Sequence, residues 1–190
     1  MPKIIDHDKQ REEIIFKSFD LFSTKGFASV TMRELARELE VSTGLLYHYF
    51  STKEAIFEQM IQFVIEKDIS RVKAGIDPDL SLSEKIITAG RLIESNKSYY
   101  QNLILLMVDY IRFVGKDEAK KIMESFSTNY LDAISSHLSL SETFSTILLS
   151  WLAGLMYCSL TVQDMIPFEK QFASMAEMIT LVAQNNQGLS

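Results

Sequence analysis

The chain has 190 residues, 47% hydrophobic and 23% charged, with a formal net charge of −6. That composition excludes a disordered tail protein, and the acidic balance argues against a chain that coats nucleic acid by bulk charge. Only 7 Gly and 3 Pro leave few turn formers for a many-stranded sheet, so long helices are expected. The single Cys158 has no intramolecular partner, which fits a reduced, cytoplasmic setting. The opening MPKIIDHDKQREE has no apolar core of a secretory signal. Thr143 to Gln163 carries no formal charge, but its strongly apolar part, Ile147 to Val162, falls short of the ~20 residues of a membrane span. A buried helix is expected there.

Taken in order, Asp8 is placed to cap a first helix with Ile15, Phe19 and Phe22 on its apolar stripe, ended by Gly26 as a left-handed C′ residue. Thr31-Met-Arg-Glu34 and Ser51-Thr-Lys-Glu54 read as capping boxes. The first opens a helix through Leu39; the second opens a long helix to about Lys73. Between them, Ser42 caps a short helix that turns Leu46 and Phe50 inward. Ile76-Asp-Pro-Asp79 breaks the chain, and Ser81-Leu-Ser-Glu84 starts another helix. An apolar helix follows over Tyr99 to Val114, and after Gly115 a helix to about His137. Ser139-Leu-Ser-Glu142 is read as the cap of an apolar helix through Val162. Beyond Pro167 a last helix spans Phe168 to about Ala183, and Asn185 to Ser190 reads as a frayed tail.

Function concentrates in Thr31 to Lys53. Leu35, Ala36 and Leu39 form the inner face of the first short helix, Val41 plugs the turn, and Ile56 and Phe57 close the core from behind. Two short helices on a tight turn make a helix-turn-helix, whose second helix enters the major groove. The outward set is then Thr43, Gly44, Leu45, Tyr47, His48 and Tyr49. Leu45 suits thymine methyls and Thr43 base edges. Tyr47 and Tyr49 suit phosphates. Lys53, Thr31 and Arg33 stand at helix starts, where amides and dipole favour a phosphate. The bland alternative is that Tyr47, His48 and Tyr49 are ordinary surface aromatics. Residues 1–53 hold eight Lys/Arg and eight Asp/Glu, so the segment is neutral and binding would rest on placed contacts.

The run from Gly26-Phe27 through Thr31-Met-Arg33-Glu-Leu35-Ala36 to Val41-Ser42-Thr-Gly44-Leu-Leu46-Tyr47-His48-Tyr49-Phe50-Ser-Thr-Lys53-Glu54 resembles the N-terminal domain of the TetR family of transcriptional regulators. The resemblance covers about residues 8–68. It implies an all-α homodimer of about nine helices: a three-helix helix-turn-helix domain (8–68, motif 31–50), then a helical ligand-binding and dimerisation domain (69–190). It also implies a palindromic operator. By position it puts Thr31, Arg33, Thr43, Gly44, Leu45, Tyr47, Tyr49 and Lys53 at DNA-contacting places. Glu40 departs from the family's usual Gly at the turn, which implies a backbone strain there.

Beyond residue 70 the pattern alone speaks. Met60, Phe63, Tyr99, Met107, Tyr110, Phe126 and Tyr130 are candidate lining for a largely apolar small-molecule effector, although helical spacing produces such stripes in any core. Asp109 and Arg112, three apart on one face, either pair or meet a polar ligand group. Trp151, Gly154, Cys158 and Met175 are candidates for a four-helix dimer interface. Cys158 reads as a buried apolar residue, with a redox thiol as the alternative. The three scattered His lack ligand spacing, so no metal is expected. No catalytic motif or cofactor loop appears. The reading is a ligand-released repressor; the alternative is a DNA-docked adaptor acting through a protein partner without a ligand, which a filled body would favour.

Overall fold

The structure, a computed structural model, describes residues 7–161 and 167–187; of residues 8 and 183–187 only the backbone is described. Among these residues there are nine helices and no strand: α1 (His7–Lys25), α2 (Met32–Glu38), α3 (Thr43–Tyr49), α4 (Lys53–Gly75), α5 (Leu82–Glu94), α6 (Lys97–Val114), α7 (Lys116–Leu138), α8 (Glu142–Thr161) and α9 (Phe168–Gln187). The all-α reading holds. The side chain of Asp8, expected as the first cap, lies outside the described residues, as do Val162 and residues 188–190. Helix α9 continues four residues past the expected Ala183.

The caps partly follow the sequence. Ser42 accepts from the Leu45 amide at 3.1 Å, and Ser81 with Glu84 forms a complete capping box. Thr31 accepts from the Glu34 amide, but the Glu34 carboxylate pairs with Lys25 instead of reaching back. Two expected caps move. Thr52, not Ser51, caps α4 by accepting from the Ala55 amide at 3.1 Å. Ser139 closes α7 with φ 53° while Leu140 donates back to the Ser135 carbonyl, so Ser141 serves α8. The end of one helix claimed the hydroxyl residue that the pattern gave to the start of the next.

Two compact units emerge. The first holds the described residues up to Glu66 together with Leu105–Phe126; the second holds Lys67–Ile104 and the described residues from Ser127 onward. The expected domain 8–68 thus lies almost wholly in the first unit, but that unit also takes a segment expected in the C-terminal body. The reason is apolar surface. Phe22, Phe27 and Phe57 are fully buried, and Tyr110 stacks on Phe57 at 4.2 Å and meets Phe27 edge-on at 4.9 Å. A domain of some sixty residues buries its aromatics poorly alone, and α6 supplies the missing face. Asp109, on the same helix, accepts from the Ala28 amide at 3.1 Å. It therefore pairs with the loop backbone, and among the described residues it makes no ion pair with the exposed Arg112.

Lys53 holds the same loop from α4. Its ammonium donates to the Phe27 and Val30 carbonyls, each at 3.0 Å. It also sits 4.4 Å and 4.3 Å from the Phe27 and Phe113 ring centres. Burial lowers its pKa below the usual lysine range. Ordered carbonyls and ring faces take the place of water around the charge.

Between α2 and α3 the chain reverses through Glu40, at φ 56°. Val41 donates to the Ala36 carbonyl at 2.9 Å and Glu40 to the Arg37 carbonyl at 3.2 Å. Those two bonds are a Schellman closure, which favours Gly at the left-handed position. The strain implied by the missing Gly is present in the backbone.

In the second unit, α5 packs on α9. Gly90 is buried against Phe172, whose ring leaves no room for a Cβ. The core there includes Ile86, Leu148, Met156, Phe168, Phe172 and Ala176. Three expectations change in this unit. Met175 is 7% exposed inside the core and so serves the protomer itself, while Trp151 packs on Phe172 at 4.9 Å and stays half-buried. Cys158 is exposed, not buried. Helix α8 is the one described helix long and apolar enough to cross a membrane, yet only 17% of its most apolar stretch is buried. The expected buried helix is thus largely uncovered within one protomer.

Glu40→Gly should raise stability by roughly 0.5–1 kcal/mol, the left-handed cost relieved less the entropy Gly adds to the unfolded chain; urea unfolding checks it. Lys53→Met, which keeps the aliphatic stem, should cost about 1–2 kcal/mol through the lost carbonyl bonds. Hydrogen exchange should show the 26–30 loop opening first.

Candidate DNA-reading face and effector cavity

The rotation of α3 is set by its inward residues. Leu46 is 0% and Phe50 1% exposed, and Leu35 and Ala36 of α2, with Leu39 just after it, are buried behind them. With 3.6 residues per turn, Thr43 and Tyr47 then fall on one outward row and Gly44 and His48 on the next; all four are exposed. Tyr47 is 53% exposed. Thr31 and Arg33 are exposed at the start of α2.

The other expected contacts sit differently. Leu45 is half-buried. Tyr49 is half-buried, and its hydroxyl donates to Gln10 at 3.1 Å while lying 2.6 Å from His7 Nδ1. Helix α1 thereby fixes the end of α3. The Lys53 ammonium is occupied by the loop carbonyls. These two side chains build the face more than they extend it.

Charge on α2 is largely neutralised. Arg37 donates to Glu38 at 2.8 Å, Lys25 pairs with Glu34 and Glu38, and both carboxyls lie below their usual range through those hydrogen bonds. Arg33 makes no ion pair among the described residues. The face therefore presents hydroxyls, rings, one open backbone at Gly44 and one unopposed cation.

The second unit contains a cavity of about 130 Å³. Ile69, Val72, Ile86, Ile93, Leu148, Leu152 and Phe172 line it, along with Asp68, Tyr100, Tyr130 and His137. Of the candidates from sequence, only Tyr130 is in the lining. Tyr99 donates to Asp68 at 3.1 Å without lining the cavity. Met60, Met107 and Tyr110 are buried in the first unit, Phe63 meets Phe16 edge-on at 6.2 Å, and Phe126 belongs to that unit as well. Large aromatics and methionines went to cores, where their area stabilises most, and aliphatics were left to shape the cavity.

Asp68 was missed because Glu66-Lys67-Asp68 reads as a solvated charge run. Its position three after Ile65 and four before Val72 puts it on the apolar stripe, and it is 1% exposed. Its Oδ2 accepts from Tyr130 at 2.9 Å and from Tyr99. Burial raises its carboxyl above the usual range, against the pull of those hydroxyls. Oδ1 has no hydrogen bond, and Arg71 stands 3.6 Å away. His137 Nδ1 lies 2.8 Å from the Ala133 carbonyl, so it carries the proton; the buried Nε2 has no partner. Buried polar atoms left this way cost about 1–3 kcal/mol each. Among the described residues no cluster of His, Cys, Asp or Glu fits a metal ion.

A family profile described as "Bacterial regulatory proteins, tetR family" matches residues 14–60. The chain is 34% identical over 87 residues to the HTH-type transcriptional regulator PksA of Bacillus subtilis, covering 46% of this chain and 42% of that one. It is 33% identical over 85 residues to the nucleoid occlusion factor SlmA of Vibrio atlanticus, covering 44% and 43%. The matches thus span under half the length of these curated relatives. Its fold superposes on a tetR-family transcriptional regulator from Streptomyces coelicolor with a TM-score of 0.72 at 18% identity, covering 96% of this chain and 84% of that one. Residues 14–60 thus match the model of the bacterial tetR-family regulatory proteins, and the chain shares the fold of tetR-family regulators over nearly its whole length.

Proposed function

We propose that the chain is a ligand-responsive transcriptional regulator: a cytoplasmic homodimer that represses by binding a palindromic operator and is released by a small, largely apolar molecule. One observation carries the reading. A helix-turn-helix of the tetR type presents an exposed, uncharged face on α3 beside an unopposed Arg33. Thr43, Gly44 and Leu45 read base edges and methyls; Thr31, Arg33, Tyr47 and His48 hold phosphates. Tyr49 and Lys53 contribute by fixing α3 and the 26–30 loop, and the α4 N-terminus adds its amides.

The dimer is assigned to α8 and α9. Ile147, Tyr157, Leu160, Met178, Leu181 and Val182 are all exposed there, together with Gly154 and Cys158. A second copy covering this face replaces water on a patch too apolar for a free surface. It also sets two readers one DNA turn apart, about 34–36 Å. The effector site is assigned to the cavity beside Asp68. An effector acts only by binding better in the conformation whose readers are wrongly spaced.

The resemblance to a nucleoid occlusion factor favours a second reading, an adaptor docked on DNA that needs no ligand. The cavity in the second unit weighs against it, because a filled body was the mark of that alternative.

Operator selected from random DNA, with binding followed by fluorescence anisotropy, tests the reader. Tyr47→Ala and Arg33→Ala should weaken binding to all sequences about equally, and Arg33→Ala should lower the salt slope by about 1. Thr43→Ala should change the preferred sequence. Unchanged affinity in both of the first two variants would refute the docking face. Sedimentation equilibrium should find a dimer that Tyr157→Glu with Met178→Glu converts to a folded monomer.

A further inference from the structure

We propose that the cavity of the second unit selects a compact apolar amine, whose protonated nitrogen donates to Asp68 and His137. The inference rests on the reading of this cavity as the effector site and names the chemistry of the effector.

Both unfilled atoms are acceptors. Asp68 Oδ1 is buried without a hydrogen bond, since Arg71 at 3.6 Å is beyond bonding reach. That guanidinium is 42% exposed and lies over the Tyr99 ring at 5.5 Å, so solvent screens it. His137 commits its Nδ1 proton to the Ala133 carbonyl, which leaves Nε2 a lone pair. Both residues are in the lining of one cavity. A ligand satisfies them only by bringing donors, and a carboxylate brings none.

The rest of the lining supports a cation. Tyr100, Tyr130 and Phe172 add ring faces, which attract a desolvated ammonium. The Tyr99 and Tyr130 hydroxyls both donate to Asp68 Oδ2, which favours the carboxylate against the opposing effect of burial and leaves Oδ1 without a bond; a cationic partner would favour the ionised form further. The one lysine or arginine in the lining, Lys73, is exposed, and its field is screened. Size limits the apolar part. About 130 Å³ compares with the roughly 150 Å³ of an engineered cavity that accepts benzene, so one ring with a short aminoalkyl arm fills it.

The test is isothermal titration calorimetry of the full chain with benzylamine, benzyl alcohol, benzoate and toluene, four molecules of similar size. Benzylamine should bind at least tenfold more tightly than the alcohol and toluene, with benzoate weakest. Asp68→Asn should abolish the tenfold preference and leave toluene unchanged. His137→Phe should reduce the amine preference severalfold, and it keeps the test open if Asp68→Asn does not fold. Toluene or benzoate binding as tightly as benzylamine overturns the amine assignment while leaving the cavity a ligand site. Failure of all four to bind, with cavity-filling Ala89→Leu changing nothing, overturns the amine assignment and the effector-cavity reading together.

Discussion

The orientation of α3 depends on the burial of Leu46 and Phe50. A seven-residue helix has no independent stability in water, so its face is defined only by what it packs against. With Leu46 and Phe50 inside, rotation by one residue would expose one of them and bury Tyr47 or His48 in its place. The Ser42 cap fixes where the helix begins, and the closure at Glu40 fixes how α2 delivers the chain to it. Every proposed base contact inherits its direction from that arrangement.

The polar framework serves the same end. Lys53 and Asp109 approach the 26–30 loop with opposite charges and bond opposite backbone groups, carbonyls for the ammonium and an amide for the carboxylate. Gly26 at φ 80° starts that loop, and an added Cβ would stand 3.0 Å from the Asp109 carboxylate. The loop presents Thr31 and Arg33. Two charges of the N-terminal unit, Lys53 and Asp109, are therefore spent on holding backbone. In the second unit the logic reverses, because Asp68 and His137 keep lone pairs that the fold leaves unfilled.

The helices of the helix-turn-helix were legible in sequence, because their signals are local. Capping hydroxyls, a Gly at a left-handed position and apolar residues three and four apart predicted α1 to α3 and, of the outward set, the exposure of Thr43, Gly44, Tyr47 and His48, but not the half-buried places of Leu45 and Tyr49. The cavity was less legible because cavities are defined by what does not fill them. Tyr110 and Met60 look like ligand-binding residues in a helix plot, yet their area is used inside the first unit. Whether Asp109 met Arg112, a ligand or a loop depended on a partner eighty-one residues away, which no window of sequence contains. The Ser51 and Ser139 caps misled for a simpler reason: neighbouring hydroxyl residues offer the same bond, and packing chooses between them.

The first unit is discontinuous along the chain, and this constrains how it can be made. Phe27 and Phe57 find their Tyr110 partner only after α6 exists. An emerging chain stopped near Glu66 would hold a helix-turn-helix with an open aromatic face. Closure must wait until Leu105–Phe126 has left the ribosome, because Lys67–Ile104 separates the two parts of the unit. Contacts of such sequence separation slow folding and prolong the exposure of apolar surface. The first unit becomes complete only when Lys67–Ile104 of the second has already been synthesised.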